Sequence, residues 1–281
     1  MSNSSPTRHD AALVLFRCDL RLADQPALVA ACAAHDRVLP VYLHAPHEEA
    51  PWGPGAASRW WLHRSLEALQ QRLAAQGATL HVARGDSLPT LRALIAASGA
   101  CAVYWSRRYE PAAIACDARL KAALRADGNA VHSVPGNLWC EPWQLATAEG
   151  QPYRVFTPYW RKLRAQLTDE PPLPEARART WLRLPGSLPL EALELLPRIP
   201  WADGLAGQWQ PGEAGAQELL EVFADDALAD YADGRDLPAR HGTSRLSPHL
   251  HFGEITPRQI RHALQARAGR NDARRRPDPE P

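Results

Sequence analysis

Residues 12–43 read "ALVLFRCDLRLADQPALVAACAAHDRVLPVYL", two short apolar runs with a helical pattern between them. The first run, ALVLFR at residues 12–17, is too short for a helix and apolar enough for a strand buried on both faces. Pro26 then suits the first position of a helix, whose pattern lasts to about His35. VLPVYL at residues 38–43 is a second strand. The same alternation continues outward. From residue 57 to 75, Trp61, Leu62, Leu66, Leu69 and Leu73 recur at helical spacing, and Gly77 stands where a C-terminal cap belongs. TLHVA (79–83), CAVYW (101–105) and AVHSV (130–134) are three more strands, separated by helices that start near Ser87 and Pro111 and close at Gly99 and Gly128. Five strands alternating with four helices predict an α/β fold: a five-stranded, parallel, doubly wound sheet. Such sheets bind ligands at the carboxyl edge of their strands.

Neither G-x-G-x-x-G nor a P-loop occurs, so this topology by itself names no ligand. Trp60, Trp61 and Trp105 read as core aromatics, and His63 and His81 have no metal-ligand spacing around them. No metal site is expected. The chain has 281 residues, 45% of them hydrophobic, enough for a substantial core. Its 32 basic and 31 acidic residues leave a formal charge of +1, which announces no polyanionic partner. Residues 235–281, however, hold ten Arg against five Asp or Glu, a local basic excess that reads first as a solvated face and tail. Five scattered cysteines without a C-x-x-C pair suggest buried thiols in a reducing compartment. The polar start MSNSSPTRHD and the lack of any long apolar run predict a cytoplasmic protein with no membrane partner.

After Trp139 the composition changes. Eight prolines within residues 171–211 predict an extended connector, and helical pattern returns from about residue 214 to 231, with Leu219, Leu220, Phe223 and Leu228 near one face. The expected division is an α/β domain at 12–138, a connector at 139–213 and a helical domain beginning at 214–281. Residues 12–138 are expected to form one cooperative core. Thr243 and Ser244 precede a helix or tight turn where a phosphate could sit, and Arg245 could add a bidentate contact. Thr256 and Pro257 start a further helix.

Six words, "LFRCDLRLADQPAL", "GAASRWWLHRSL", "YWSRRYEPAA", "EPW", "PYRVFTPYW" and "GTSRLSPHLHFGEITPRQI", resemble in order and spacing the DNA photolyase and cryptochrome family of flavoproteins. The similarity covers about residues 12–267. It implies a Rossmann-like domain joined by a long linker to a helical FAD-binding domain. It also implies light-driven repair of UV-damaged DNA, in which excited reduced FAD splits a cyclobutane pyrimidine dimer flipped out of the duplex. By resemblance, Tyr231, Thr243, Ser244, Arg245, Leu246 and Ser247 contact FAD, and Arg235 contacts a DNA phosphate. No catalytic residue is carried over.

Two departures qualify this. Ala112 and Ala113 stand where folate-antenna members carry Asn-Glu, and two methyl groups cannot hydrogen-bond a pterin, so tight folate binding of that kind is not expected; the antenna chromophore stays open. The family's helical domain is also longer than the part present, so a C-terminally truncated or frame-disrupted chain, inactive and unable to hold FAD, is expected. None of the ten tryptophans is assigned to an electron relay. Helices near Leu219 and Ile260 are expected to lack partners, leaving the region beyond residue 214 mobile, self-associating or dependent on another chain, and "AGRNDARRRPDPEP" after Arg267 reads as a disordered tail. A repair enzyme, a cryptochrome-type signalling flavoprotein and a stand-alone α/β binding module all remain open readings.

Overall fold

The computed structural model of the chain describes residues 9–275. Strands β1 (His9–Phe16), β2 (His35–His44), β3 (His81–Arg84), β4 (Ala102–Ser106) and β5 (Ala130–Val134) lie in the order β3-β2-β1-β4-β5, and every pairing is parallel. Helices α1 (Pro26–Ala34), α2 (Ala56–Ala75), α3 (Ser87–Ser98) and α4 (Pro111–Ala126) form the crossovers. Strand alternation explains why both sheet faces are covered. Val14, Phe16, Val38 and Val82 pack on Leu28 of α1 and on Leu66, Leu69 and Leu73 of α2. Leu13, Leu15, Leu39 and Val103 point the other way, onto Leu91 and Leu94 of α3 and Leu120 and Leu124 of α4. The doubly wound sheet is therefore present, and its strand order reverses between β1 and β4.

Trp60, Trp61 and Trp105 are all buried. The core does not end with β5: Leu190, Leu193, Leu195, Ala202 and Phe252 belong to the same cluster as Phe16 and Leu66.

The connector is more structured than its prolines suggested. It contains helix α5 (Phe156–Gln166), unanticipated in sequence, and a two-residue strand β6 (Thr180–Trp181) that pairs parallel with β2 through Val38 and Trp181. The sheet thus has a sixth, two-residue strand. A single turn, α6 (Asp203–Ala206), follows. The one helix expected over 214–231 is instead α7 (Glu213–Val222), a widened turn at Phe223–Ala227 closed by Leu228 N–H on the Phe223 carbonyl (2.9 Å), and α8 (Tyr231–Gly234). Asp225 and Asp226, both poor helix formers, lie in that interruption.

Helices α9 (Ser247–Phe252) and α10 (Pro257–Arg275) complete the described residues. Thr256 and Gln259 make a reciprocal cap, the Thr256 hydroxyl accepting from Gln259 N–H (3.0 Å) and the Gln259 amide oxygen from Thr256 N–H (2.9 Å). Contrary to expectation, these helices have partners. Ala216, Leu220, Leu246 and Ile255 form a small buried cluster, with Leu219, Leu250 and Ile260 packed on it. The backbone of α10 also continues past Arg267 to Arg275, since Ala and Arg are strong helix formers and the next proline is Pro277. Residues 276–281 lie outside the described residues. All five cysteines are free thiols, and among the described residues no helix is long and apolar enough to cross a membrane.

Candidate cofactor-binding site

The connection between β1 and α1 carries polar side chains that the fold buries. Arg21, fully buried, donates from Nε and Nη2 to the Asp24 carbonyl (3.1 and 2.9 Å) and from Nη1 to Asn137 Oδ1 and the Gly253 carbonyl (both 2.8 Å). Asp24 accepts from the Thr256 hydroxyl (2.6 Å) and from Leu173 N–H (2.9 Å). Glu213, at the start of α7, accepts the N–H groups of Leu22 (3.0 Å) and Ala23 (3.1 Å). Gly253 closes α9 at φ 66°; a side chain there would collide with the Cys18 carbonyl and stand 2.6 Å from Asn137 Nδ2. Buried polar groups need partners, and here the bonds of Arg21 to Gly253, Asp24 to Thr256 and Glu213 to Leu22 and Ala23 tie the helical segment to the sheet domain.

Deeper in this seam sits Glu254, with 1% exposure. One carboxylate oxygen accepts from Trp61 Nε1 (3.0 Å) and from the Ser65 hydroxyl; the other meets His249 Nδ1 at 2.5 Å. His249 and Phe252 flank the Trp61 indole at centroid distances of 5.0 and 6.1 Å. Helix α9, which follows the residues singled out in sequence, is thereby locked onto α2.

Those residues come together. A side chain at Gly242 would collide with the Gly234 carbonyl and lie 3.0 Å from Arg235 N, so the loop of residues 242–247 rests directly on α8. Helix α8 begins at Tyr231 and is followed by Arg235, whose guanidinium lies over the Tyr231 ring at 5.8 Å. Thr243 and Ser247 are exposed, whereas Ser244 and Arg245 are half-buried. Leu246 is buried in the helical cluster, its carbonyl accepting from Leu250 N–H (2.9 Å). Arg245 adopts a left-handed backbone at φ 55° and lays its guanidinium 4.3 Å above the Trp209 ring. Among the described residues it has no acceptor. A half-buried guanidinium without an acceptor, beside exposed hydroxyls, fits a diphosphate.

A second feature lies at the carboxyl edge of the sheet, beside the β1/β4 reversal. A cavity of about 690 Å³ is lined by Leu15, Tyr42, His44, Trp52, Ala112 and Ala113 among others, and a neighbouring one of about 350 Å³ by Arg17, Ser106, Arg107, Tyr109 and His251. Arg108 stands between them, paired with Glu49 and with Glu110 (3.0 Å). Burial acts to raise the Glu110 carboxyl, but the hydrogen bond and charge of Arg108 together with backbone N–H bonds from Glu110 itself and Tyr109 outweigh it and hold the group below its ordinary range. Burial pushes the Cys18 thiol, on the shared wall, up to about 11. Arg17 is held by Asp117 at 2.6 and 3.1 Å, and Asp117 also accepts from Trp105 Nε1 (3.0 Å).

Sequence reading missed the seam residues Arg21, Asp24, Glu213 and Glu254, the platform residue Trp209, and the lining of both cavities apart from Ala112 and Ala113. Charged residues in an otherwise apolar connection were the available signal, but their partners lie more than 100 residues away.

The DNA photolyase family model matches residues 12–177, and the chain belongs to that family. Deoxyribodipyrimidine photo-lyase of Agrobacterium fabrum is 45% identical over 90% of this chain and 53% of its own length. Cryptochrome-2 of Arabidopsis thaliana is 35% identical over 90% of this chain and 42% of its own. The crystal structure of a bacterial class III photolyase from Agrobacterium tumefaciens superimposes with a TM-score of 0.86 at 43% identity, covering 94% of this chain and 54% of that one. An archaeal photolyase from Sulfolobus tokodaii, described with two FAD molecules, shares the fold at 23% identity and a TM-score of 0.73, over 91% of this chain and 55% of its own. The chain thus spans about half the length of these relatives.

Proposed function

We propose that this chain carries the sheet domain and the phosphate-facing wall of an FAD-dependent photolyase acting on cyclobutane pyrimidine dimers in UV-damaged DNA. The observation that carries the reading is the half-buried Arg245 guanidinium, which has no acceptor among the described residues, in a loop whose Gly242 packs on the helix that carries Tyr231. When bound, FAD supplies the light-driven electron that such repair requires. The chain's own residues bind and orient. Arg245, Thr243, Ser244 and Ser247 hold the diphosphate through charge-assisted and hydroxyl hydrogen bonds, and Tyr231 offers an aromatic edge beside them. Arg235, exposed on the same wall, contacts a DNA phosphate and so positions the duplex without reading its sequence.

The cavity at the strand ends is the place for a second, light-gathering chromophore. It would be held by contact with Tyr42, Trp52, Ala112 and Ala113, not by an amide and a carboxylate at 112 and 113.

This wall meets FAD from one side, and a large planar cofactor needs most of its surface buried. The 281-residue polypeptide alone is therefore expected to retain far less than one flavin per chain and to show no repair. Flavin released by heat and blue-light splitting of thymine dimers test this; near-stoichiometric flavin with light-dependent repair would overturn it. The 35% identity to Cryptochrome-2 supports blue-light signalling as the second reading. A flavin-loaded form that binds but never splits dimers would favour it.

A further inference from the structure

We infer that Trp209 is a positioning residue for Arg245, through which the sheet domain sets the direction of the phosphate wall. The inference rests on reading residues 242–247 as that wall. A free arginine side chain samples many rotamers, and its guanidinium binds a diphosphate well only when its planar edge is held toward it. Here the guanidinium lies 4.3 Å from the Trp209 centroid, so the indole fixes its plane and leaves its N–H edge unengaged. The left-handed backbone of Arg245, φ 55°, is a conformation that bulky residues keep only when their surroundings impose it.

Trp209 is itself held from behind. Trp61 meets it edge-on at 5.4 Å and 65°, and His249 lies 6.4 Å away, tilted by 54°. Both rings take their orientation from the buried Glu254 carboxylate, which binds Trp61 Nε1 and His249 Nδ1. A path of packed groups therefore leads from α2, through Glu254, Trp61 and His249, to Trp209 and on to Arg245. Trp209 occupies the last stretch of the connector, outside the segment that the resemblance assigned to FAD. Its role is orientation; it need not touch the ligand.

The test uses the full 281-residue chain labelled with ¹⁵N-arginine and inorganic pyrophosphate as the probe. The Arg245 Nε–H resonance, assigned through R245K, is expected to be displaced by the Trp209 ring current and to move saturably as pyrophosphate is added. In W209L the ring-current displacement vanishes and the apparent Kd rises about five- to thirtyfold, while W209F, with a weaker ring face, falls between. Near-UV circular dichroism checks that W209L remains folded. If it does not, W209F decides alone, with an expected loss of about two- to fivefold. Wild-type affinity in a folded W209L, or in W209F when that variant must decide, would overturn the positioning role and leave the wall reading intact. A wild-type Arg245 resonance that ignores pyrophosphate would overturn the wall reading and this inference with it.

Discussion

Replacing Glu254 by alanine removes the acceptor from three donors at once: Trp61 Nε1–H, the Ser65 hydroxyl and His249 Nδ1–H. Ser65 and His249 have no measurable exposure and Trp61 has 6%, so water cannot replace the lost partner without opening the seam. An unsatisfied buried donor costs about 1–3 kcal/mol, and breaking a buried pair about 3–5 kcal/mol. The three donors share one carboxylate, so their losses overlap, and a destabilisation of about 4 kcal/mol is expected. Glu254→Gln keeps the shape and one acceptor oxygen but turns an NH₂ toward a donor; it should cost about half as much. Urea unfolding followed by tryptophan fluorescence measures both, with the midpoint falling and the slope unchanged. Pairing Glu254→Ala with His249→Ala gives the coupling directly. A Glu254→Ala loss below about 0.5 kcal/mol, or strictly additive single losses, would refute the claim that this carboxylate organises the seam.

Gly253→Ala combines a left-handed φ of 66° with a collision against backbone of the β1–α1 connection, and we expect a loss of at least about 2 kcal/mol in the same unfolding assay. Arg21→Lys keeps the charge but cannot reach Asp24, Asn137 and Gly253 together, and should lower stability by about 2–4 kcal/mol. The Cys18 thiol is raised from 9.0 to about 11, so its contribution is complete below pH 9 and is lost as pH climbs toward 11, where the unfolded chain has already ionised. Cys18 lines the cavity wall, which limits the effect to about 2 kcal/mol; Cys18→Ala should flatten the stability profile between those pH values. A methenyl-folate mixed with the chain should not be retained through gel filtration, because the Ala112 and Ala113 methyls offer it no hydrogen bond; folate absorbance and mass co-eluting with the chain would contradict this.

The sheet was legible because its signals are local. Apolar runs such as ALVLFR, a proline at the first turn of α1 and glycines after α3 and α4 mark each element within a few residues. Strand edges moved by two or three residues, as with β2, which begins at His35 instead of Val38. The connector was harder: prolines announced the absence of long elements but not the two-residue pairing of Trp181 with Val38, which depends on a neighbouring strand. The wall residues were found through resemblance, since hydroxyls and an arginine before a helix are common in any loop. Nothing local could tell that Leu246 points inward or that Arg245 lies on Trp209, 36 positions earlier. The seam was the least legible part. Arg21, Asp24, Glu213 and Glu254 carry no local sign of burial before the fold brings them together, and the apolar partners of Leu219 and Ile260 come from a cluster with Leu246 and Ile255 that periodicity does not reveal.

If residues 231–247 form a wall for the FAD diphosphate, FAD binding will register there in hydrogen exchange read by mass spectrometry. The 281-residue chain is incubated with FAD up to millimolar concentration, beside Arg245→Ala. Exchange is expected to slow in peptides covering Tyr231 to Ser247, in proportion to FAD concentration, and this protection is expected to vanish in Arg245→Ala. Exchange there that is unchanged by FAD, with protection confined to the cavity at the strand ends or found nowhere, would contradict such a wall.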